Sequence, residues 1–249
     1  MPSACDPAII EVERLTVGYG ETVVLENLDF TVPAGAVFAI LGGSGCGKST
    51  LLRHLIGLED PMSGRIRVRD APPRQGYGAP PYGVLFQSGA LFGSMTLFDN
   101  VALPLRKWTG LDARAIDTIV RSKLRLVGLE SFEHHLPAEI SGGMKKRAGI
   151  ARALALDTPL LFLDEPSAGL DPVSSVELDE LILTLNHSLR MTTVIVTHEL
   201  ASIFAIASDC IMLDRSVRGI IARGNPIALR DGHDDPRVRA FFNRQSQAS

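Results

Sequence analysis

The segment AVFAILGGSGCGKSTLL (36–52) constrains this chain more than any other. Six apolar residues without a polar break read as a strand buried on both faces. They run into a glycine-rich turn, and a helical pattern over 48–57 follows. The turn fits G-x-x-x-x-G-K-[ST], with Gly42, Gly47, Lys48 and Ser49 at the fixed places and Gly43, Ser44, Gly45 and Cys46 between them. Glycines let backbone N–H groups turn inward around phosphate oxygens, and the helix N-terminus behind them adds positive potential. Lys48 supplies a point charge for β- and γ-phosphates, and the Ser49 hydroxyl can ligate Mg²⁺. A glycine turn of chance composition is the competing reading, and the strand–loop–helix context argues against it. Cys46 reads as a small residue filling space.

Two more strand ends support the same chemistry. LLFLDEP (160–166) is a buried strand from which Asp164 and Glu165 emerge. Asp164 can hold Mg²⁺ through water, and Glu165 can polarise an attacking water as general base. TVIVTHEL ends a β-branched strand at Thr197, so His198 is expected at the same sheet edge, against the γ-phosphate. FQSGALFGSMTLFDNVALPL (86–105) places Gln87 at the head of an apolar run too broken to span a membrane. Val101–Leu105 are expected to join a core, and Leu91, Phe92 and Phe98 to line a groove for a partner.

Strands and helices alternate through most of the chain, which predicts an α/β fold with a mostly parallel sheet and ligands at the strand C-termini. A helical segment from about 96 to 156 interrupts it. There Ile116, Ile119, Val120, Leu124 and Val127 recur at helical spacing with Gly128 as the C-cap, and Ser141 opens a further helix. Residues 71–83 hold four prolines and three glycines and are expected to be irregular. PVSSVELDELILTLNHSL reads as a helix, CIMLD as a strand, and DPRVRAFFNRQ as a short last helix.

The 249 residues carry 45% hydrophobic and 21% charged residues and a net charge of −3. That balance suits a soluble fold and argues against nucleic acid as a partner. The three cysteines, Cys5, Cys46 and Cys210, lack metal-binding spacing and read as reduced thiols. The N-terminus shows no basic stretch followed by an apolar one, so no leader is expected. No segment supplies the roughly 20 apolar residues of a spanning helix.

ISGGMKKRAGIARAL (140–154) carries a family resemblance, since SGG before a basic helix resembles the signature of ATP-binding-cassette ATPases. Ile140 stands where the family usually has Leu, and Met144 where it has Gln. The motif order along nearly the whole chain agrees. Tyr19 resembles the aromatic that stacks on adenine, and Gly42–Thr50 match the Walker A loop. Leu161–Glu165 match the Walker B strand, and Gln87 the Q-loop. Ser141, Gly142 and Gly143 match the signature, Ser167–Asp171 the D-loop, and His198 the switch histidine. The resemblance implies an α/β P-loop NTPase with an ABC-type nucleotide-binding domain. That domain has a RecA-like core, an N-terminal antiparallel β subdomain and an inserted α-helical subdomain. It would span 9–245, with core and β subdomain at about 9–87 and 157–230, the helical subdomain at about 88–156, and a tail over 231–249. The implied activity is hydrolysis of ATP with Mg²⁺ by a head-to-tail homodimer, with Ser141–Gly143 and Asp171 of one subunit facing nucleotide on the other. Glu165, His198, Gln87 and Lys48 would be catalytic, and Ser49, Gln87 and Asp164 would hold the metal. Lys145, Lys146 and Arg147 lie near the positive end of their helix and read as a solvated basic face.

Within the family, FQSGALFGSMTLFDNVALPLR and SGGMKKRAGIARALALDTPLLFLDEPSAGLDP look most like the Mla/Mkl group, bacterial lipid-transport ATPases that work with MCE-domain proteins. The implied partners are integral-membrane permease subunits and an MCE protein, with a small STAS-domain regulator as a further one. The implied location is the cytoplasmic face of the inner membrane. An amino-acid importer or lipoprotein-release ATPase is the alternative, and a soluble non-transport cassette ATPase a more distant one.

Overall fold

The computed structural model describes residues 7–73 and 78–243. Cys5, part of the 71–83 loop and the last six tail residues lie outside that range. β1 (Ala8–Tyr19) and β2 (Thr22–Pro33) form an antiparallel pair. β3 (Val37–Gly42) is followed by α1 (Lys48–Leu55) and β4 (Ser63–Val68), and β4 returns to the other edge of β1. After β5 (Gly83–Leu85) the chain turns helical, through α2 (Leu97–Trp108), α3 (Ala113–Leu126) and α4 (Gly142–Ala153). Alternation then resumes with β6 (Leu160–Asp164), α5 (Pro172–Leu189), β7 (Thr192–Val196), α6 (Leu200–Ile206), β8 (Asp209–Asp214) and β9 (Gly219–Gly224). Helices α7 (Pro226–Gly232) and α8 (Pro236–Phe242) close the described chain. The sequence reading lacks α6, β9 and α7: α6 and α7 have seven residues each, too short to establish a period, and β9 is a hairpin return from β8.

Two sheets result, β2-β1-β4 and β5-β6-β7-β3-β8-β9, the second parallel except for β9. Its strands alternate between two buried faces. Phe38, Ile40, Phe162 and Val196 meet the antiparallel sheet and α1, whereas Leu161, Leu163 and Ile195 turn to the helical segment and α5. Burying such side chains is worth about 1.5–3 kcal/mol each. Val101, Ala102 and Leu105 join Ile116, Val120, Leu124 and Val127 in the core of the helical segment. Gly128 follows α3 with φ 71°, the left-handed conformation that ends a helix.

Register sets the functional edge. Ile40 and Asp164 both pair with Val196, and Leu85 pairs with Leu163. The chain therefore leaves β3, β5, β6 and β7 at neighbouring points, carrying Gly42, Gln87, Glu165 and His198 to one end of the sheet.

Candidate active site

The loop 42–47 leaves β3 through two glycines in conformations that other residues avoid. At Gly42 (φ 142°) a Cβ would fall 2.4 Å from the Leu213 carbonyl oxygen, and at Gly47 (φ 101°) one would strike Leu25 and Val24. Gly47 caps α1 with no side-chain hydrogen bond, which leaves the first-turn N–H groups turned toward the loop. The Lys48 ammonium lies inside the loop and donates to the carbonyls of Gly42 and Gly43 at 2.8 and 3.1 Å. Cys46 is buried beneath, its thiol pushed up by burial, which fits a space-filling residue.

A cavity of about 630 Å³ opens over this loop, lined by Gly42–Gly45, Gly47–Thr50, Gln87, Glu165 and His198. The Tyr19 hydroxyl reaches Thr50 Oγ1 at 3.2 Å, which holds an exposed aromatic ring beside the helix start. His198 Nδ1 lies 2.9 Å from Glu165 Oε1. The sequence pointed His198 at phosphate; here it is paired with the carboxylate that shares the cavity. Glu165 has φ 45°, and its N–H donates to the Val196 carbonyl at 2.8 Å.

Asp164 sits one residue back, and its Oδ1 is buried without a hydrogen-bond partner. Burial, and then Glu165 beside it, raises its carboxyl above the ordinary range. An orphaned buried carboxylate oxygen of this kind suits a cation. No cluster of three or more His, Cys, Asp or Glu converges on a metal site among the described residues. Asp164, Ser49 and Gln87, all at this end of the sheet, present oxygen donors of the kind Mg²⁺ takes.

The remaining expected residues lie apart from this cavity. Ser141 caps α4 by accepting from the Met144 N–H at 3.2 Å, and Gly142 and Gly143 lie against Leu170 and Ser174. Asp171 is an N-cap as well: its carboxylate accepts from the N–H groups of Val173 and Ser174 and from the Ser174 hydroxyl. Those bonds hold its carboxyl below the ordinary range.

Three expectations change. Lys146 is buried, not solvated, and Arg147 pairs with Glu177. Leu91 and Phe98 pack against the helical core, with the Arg121 guanidinium over the Phe98 ring. Only Phe92 of the three lines the apolar groove of about 330 Å³ that runs between β5 and the helical segment, beside Tyr82, Val84, Pro104, Trp108 and Leu156. Spacing alone could not separate an inward from an outward aromatic in so short a run.

Phe241 of α8 also lines the phosphate-loop cavity. Asp235 caps α8, Val238 and Phe242 bury its inner face, and Arg237 reaches Asp214 at the end of β8. The Val-x-x-x-Phe spacing signals the helix; no local pattern signals where it docks.

Glycine loops of this build, set between a buried strand and a helix, define the P-loop nucleotide-binding proteins. Within that class the chain belongs to the ABC transporter family, whose model matches residues 25–168. Among curated relatives it is 43% identical over 240 residues to the probable ribonucleotide transport ATP-binding protein mkl of Mycobacterium tuberculosis, covering 94% of this chain and 66% of that protein. The chain thus spans about two thirds of the mkl relatives' length. It is 39% identical over 247 residues to the intermembrane phospholipid transport system ATP-binding protein MlaF of Escherichia coli, covering 94% and 88%. The MlaF of Haemophilus influenzae is 40% identical over 245 residues, covering 96% and 91%. Among solved structures, cbiO1 of Clostridium perfringens, part of an ABC transporter complex, superposes with a TM-score of 0.79 at 29% identity, covering 89% and 90%. A dimeric ATP-binding cassette, MJ0796, bound to ADP and Pi, superposes with a TM-score of 0.76 at 26% identity, covering 87% and 98%.

Proposed function

We propose that this chain binds and hydrolyses ATP as the energy-supplying subunit of a bacterial transporter, and that the cargo is phospholipid or a related lipid. The observation that carries the ATPase reading is the convergence of Lys48, Gln87, Asp164, Glu165 and His198 on one sheet edge, with Glu165 and His198 in hydrogen-bond contact. The loop N–H groups and Lys48 hold the phosphates, and Tyr19 stacks on the base. Ser49, Gln87 and Asp164 would hold Mg²⁺, which when bound would supply charge neutralisation at the phosphate oxygens. Glu165 polarises the attacking water, and His198 orients that carboxylate from the open side. Ser141, Gly142 and Gly143 do not line their own cavity, and in a head-to-tail homodimer they would close the partner's site; a dimeric cassette among the similar structures supports the dimer. Asp171 braces that interface by fixing the start of α5.

The lipid reading rests on chain-wide similarity to MlaF, whose name specifies phospholipid; the mkl name specifies ribonucleotide. The MlaF proteins are covered over 88–91% of their length, which favours the lipid reading. Among the described residues no helix is long and apolar enough to cross a membrane. The permease of this reading is a separate chain. The Phe92 groove offers an apolar seat for a short cytoplasmic helix of that permease. An MCE-domain protein in the periplasm and a STAS-domain regulator would complete the assembly, with this chain on the cytoplasmic face of the inner membrane. Purifying the membrane complex through a tag on this chain tests the reading. Co-purifying phospholipid and an MCE protein support it; a stable periplasmic amino-acid receptor overturns it. Lys48→Ala should abolish ATP turnover in the same preparation.

A further inference from the structure

Helix α4 turns three residues, Lys146, Gly149 and Arg152, toward the segment that follows β5. Lys146 is 6% exposed, a rare state for lysine. Its ammonium donates to the main-chain oxygen of Gln87 at 2.5 Å and to that of Glu165 at 3.1 Å. Arg152 donates to the main-chain oxygens of Gly89 and Ala90 at 3.1 and 2.7 Å. Between them Gly149 permits the close approach: a Cβ there would fall 2.5 Å from Leu85 Cδ1 and 3.3 Å from the Gly89 oxygen. Charge-assisted bonds of this kind are the stronger ones.

The backbone they hold is unusual. Ala90 and Glu165 both have positive φ, 48° and 45°, which L-residues seldom adopt. The Glu165 oxygen is shared between Lys146 and the Ala168 N–H, and its N–H is taken by Val196. One ammonium on the helix that opens with Ser141 therefore fixes two separate segments of the cavity wall.

We propose that Lys146 is a positioning residue, tying the first turns of α4 to Gln87 and to the backbone of Glu165, so that displacement of the helix is transmitted to the general base. The proposal rests on the ATPase reading above. Lys146 does not line the phosphate-loop cavity, so it acts through Glu165 and Gln87. Burial lowers the affinity of its amine for a proton, while Asp164 and Glu165 favour the charged form.

Lys146→Met keeps most of the stem and removes the donors; Lys146→Arg keeps donors and charge. With the full chain, turnover should fall about 10- to 100-fold in Lys146→Met, the scale of a displaced catalytic group. Equilibrium binding of a fluorescent ATP analogue should stay within about threefold, and Lys146→Arg should restore most of kcat. In a Glu165→Gln background, the fold-loss in single-turnover rate caused by Lys146→Met should be clearly smaller, because one of the two positioned groups is gone. Wild-type kcat in Lys146→Met overturns the proposal, and so does an equal fold-loss in both backgrounds. Should Lys146→Met fail to fold, Lys146→Gln takes its place under the same two criteria. A wild-type chain that neither binds nor hydrolyses ATP would refute the functional reading and this proposal together. Wild-type turnover with an indifferent Lys146 refutes the proposal alone.

Discussion

Asn100 offers the most direct test of how the segment after Gln87 is held. It lies in the first turn of α2, fully buried, and its side chain folds back onto residues 92–96. Oδ1 accepts from the Phe92 N–H at 2.8 Å, and Nδ2 lies 3.1, 3.2 and 3.0 Å from the oxygens of Phe92, Met95 and Thr96. An amide has two N–H protons, so three full hydrogen bonds are available, one accepted and two donated. At a net 0.5–1.5 kcal/mol each, Asn100→Ala should cost about 3 kcal/mol. For a chain of this size that is a fall in Tm of about 6–12 °C, read by calorimetry. Asn100→Asp keeps the acceptor but loses both donors and buries a carboxylate. That carboxyl would be raised in the folded state, so its stability is present at low pH and lost as pH rises through the folded value. Asn100→Asp should therefore melt no higher than Asn100→Ala at neutral pH and recover on acidification. A Tm for Asn100→Ala within about 2 °C of the parent would refute the reasoning, since it corresponds to less than about 1 kcal/mol.

Glu165→Gln should retain ATP binding, lose about 100-fold or more in turnover, and accumulate as an ATP-bound dimer by size exclusion; full turnover would remove Glu165 as general base. Asp179 is buried in α5, and burial raises its carboxyl to about 6. The stability tied to its protonated form is complete below about pH 4 and is lost as pH rises through about 6. Asp179→Asn should thus stabilise the chain by up to about 3 kcal/mol at pH 7.5 and by little at pH 4, and a gain independent of pH would contradict the assignment. Phe241→Ala should weaken ATP binding about fivefold, the equivalent of an aromatic contact worth about 1 kcal/mol; unchanged affinity would show that α8 only borders the cavity.

Much of the site was legible because its parts are local. A buried strand, a glycine turn and a helix start occupy one stretch around Lys48, and the need for φ of 142° and 101° at Gly42 and Gly47 is written as glycine. Asp164, Glu165 and His198 were readable as strand ends because β6 and β7 are short apolar runs. Ser141 and Asp171 were readable as residues worth singling out, yet both spend their side chains on helix caps. Local spacing does not separate a cap from a ligand, since the same oxygen serves either use.

The sequence by itself determined the element types over most of the chain, the phosphate loop, and the split of an α/β core by helices. Each depends on periodicity or on backbone conformations a single residue type permits. The tertiary structure alone decided that Lys146 is buried, that Phe92 faces out while Leu91 and Phe98 face in, and that Phe241 borders the phosphate-loop cavity. Those outcomes depend on which distant backbone carbonyl or apolar face lies opposite. Gln87 and Glu165 are 78 positions apart in sequence, and only the pairing of β5 with β6 brings their carbonyls within reach of one ammonium.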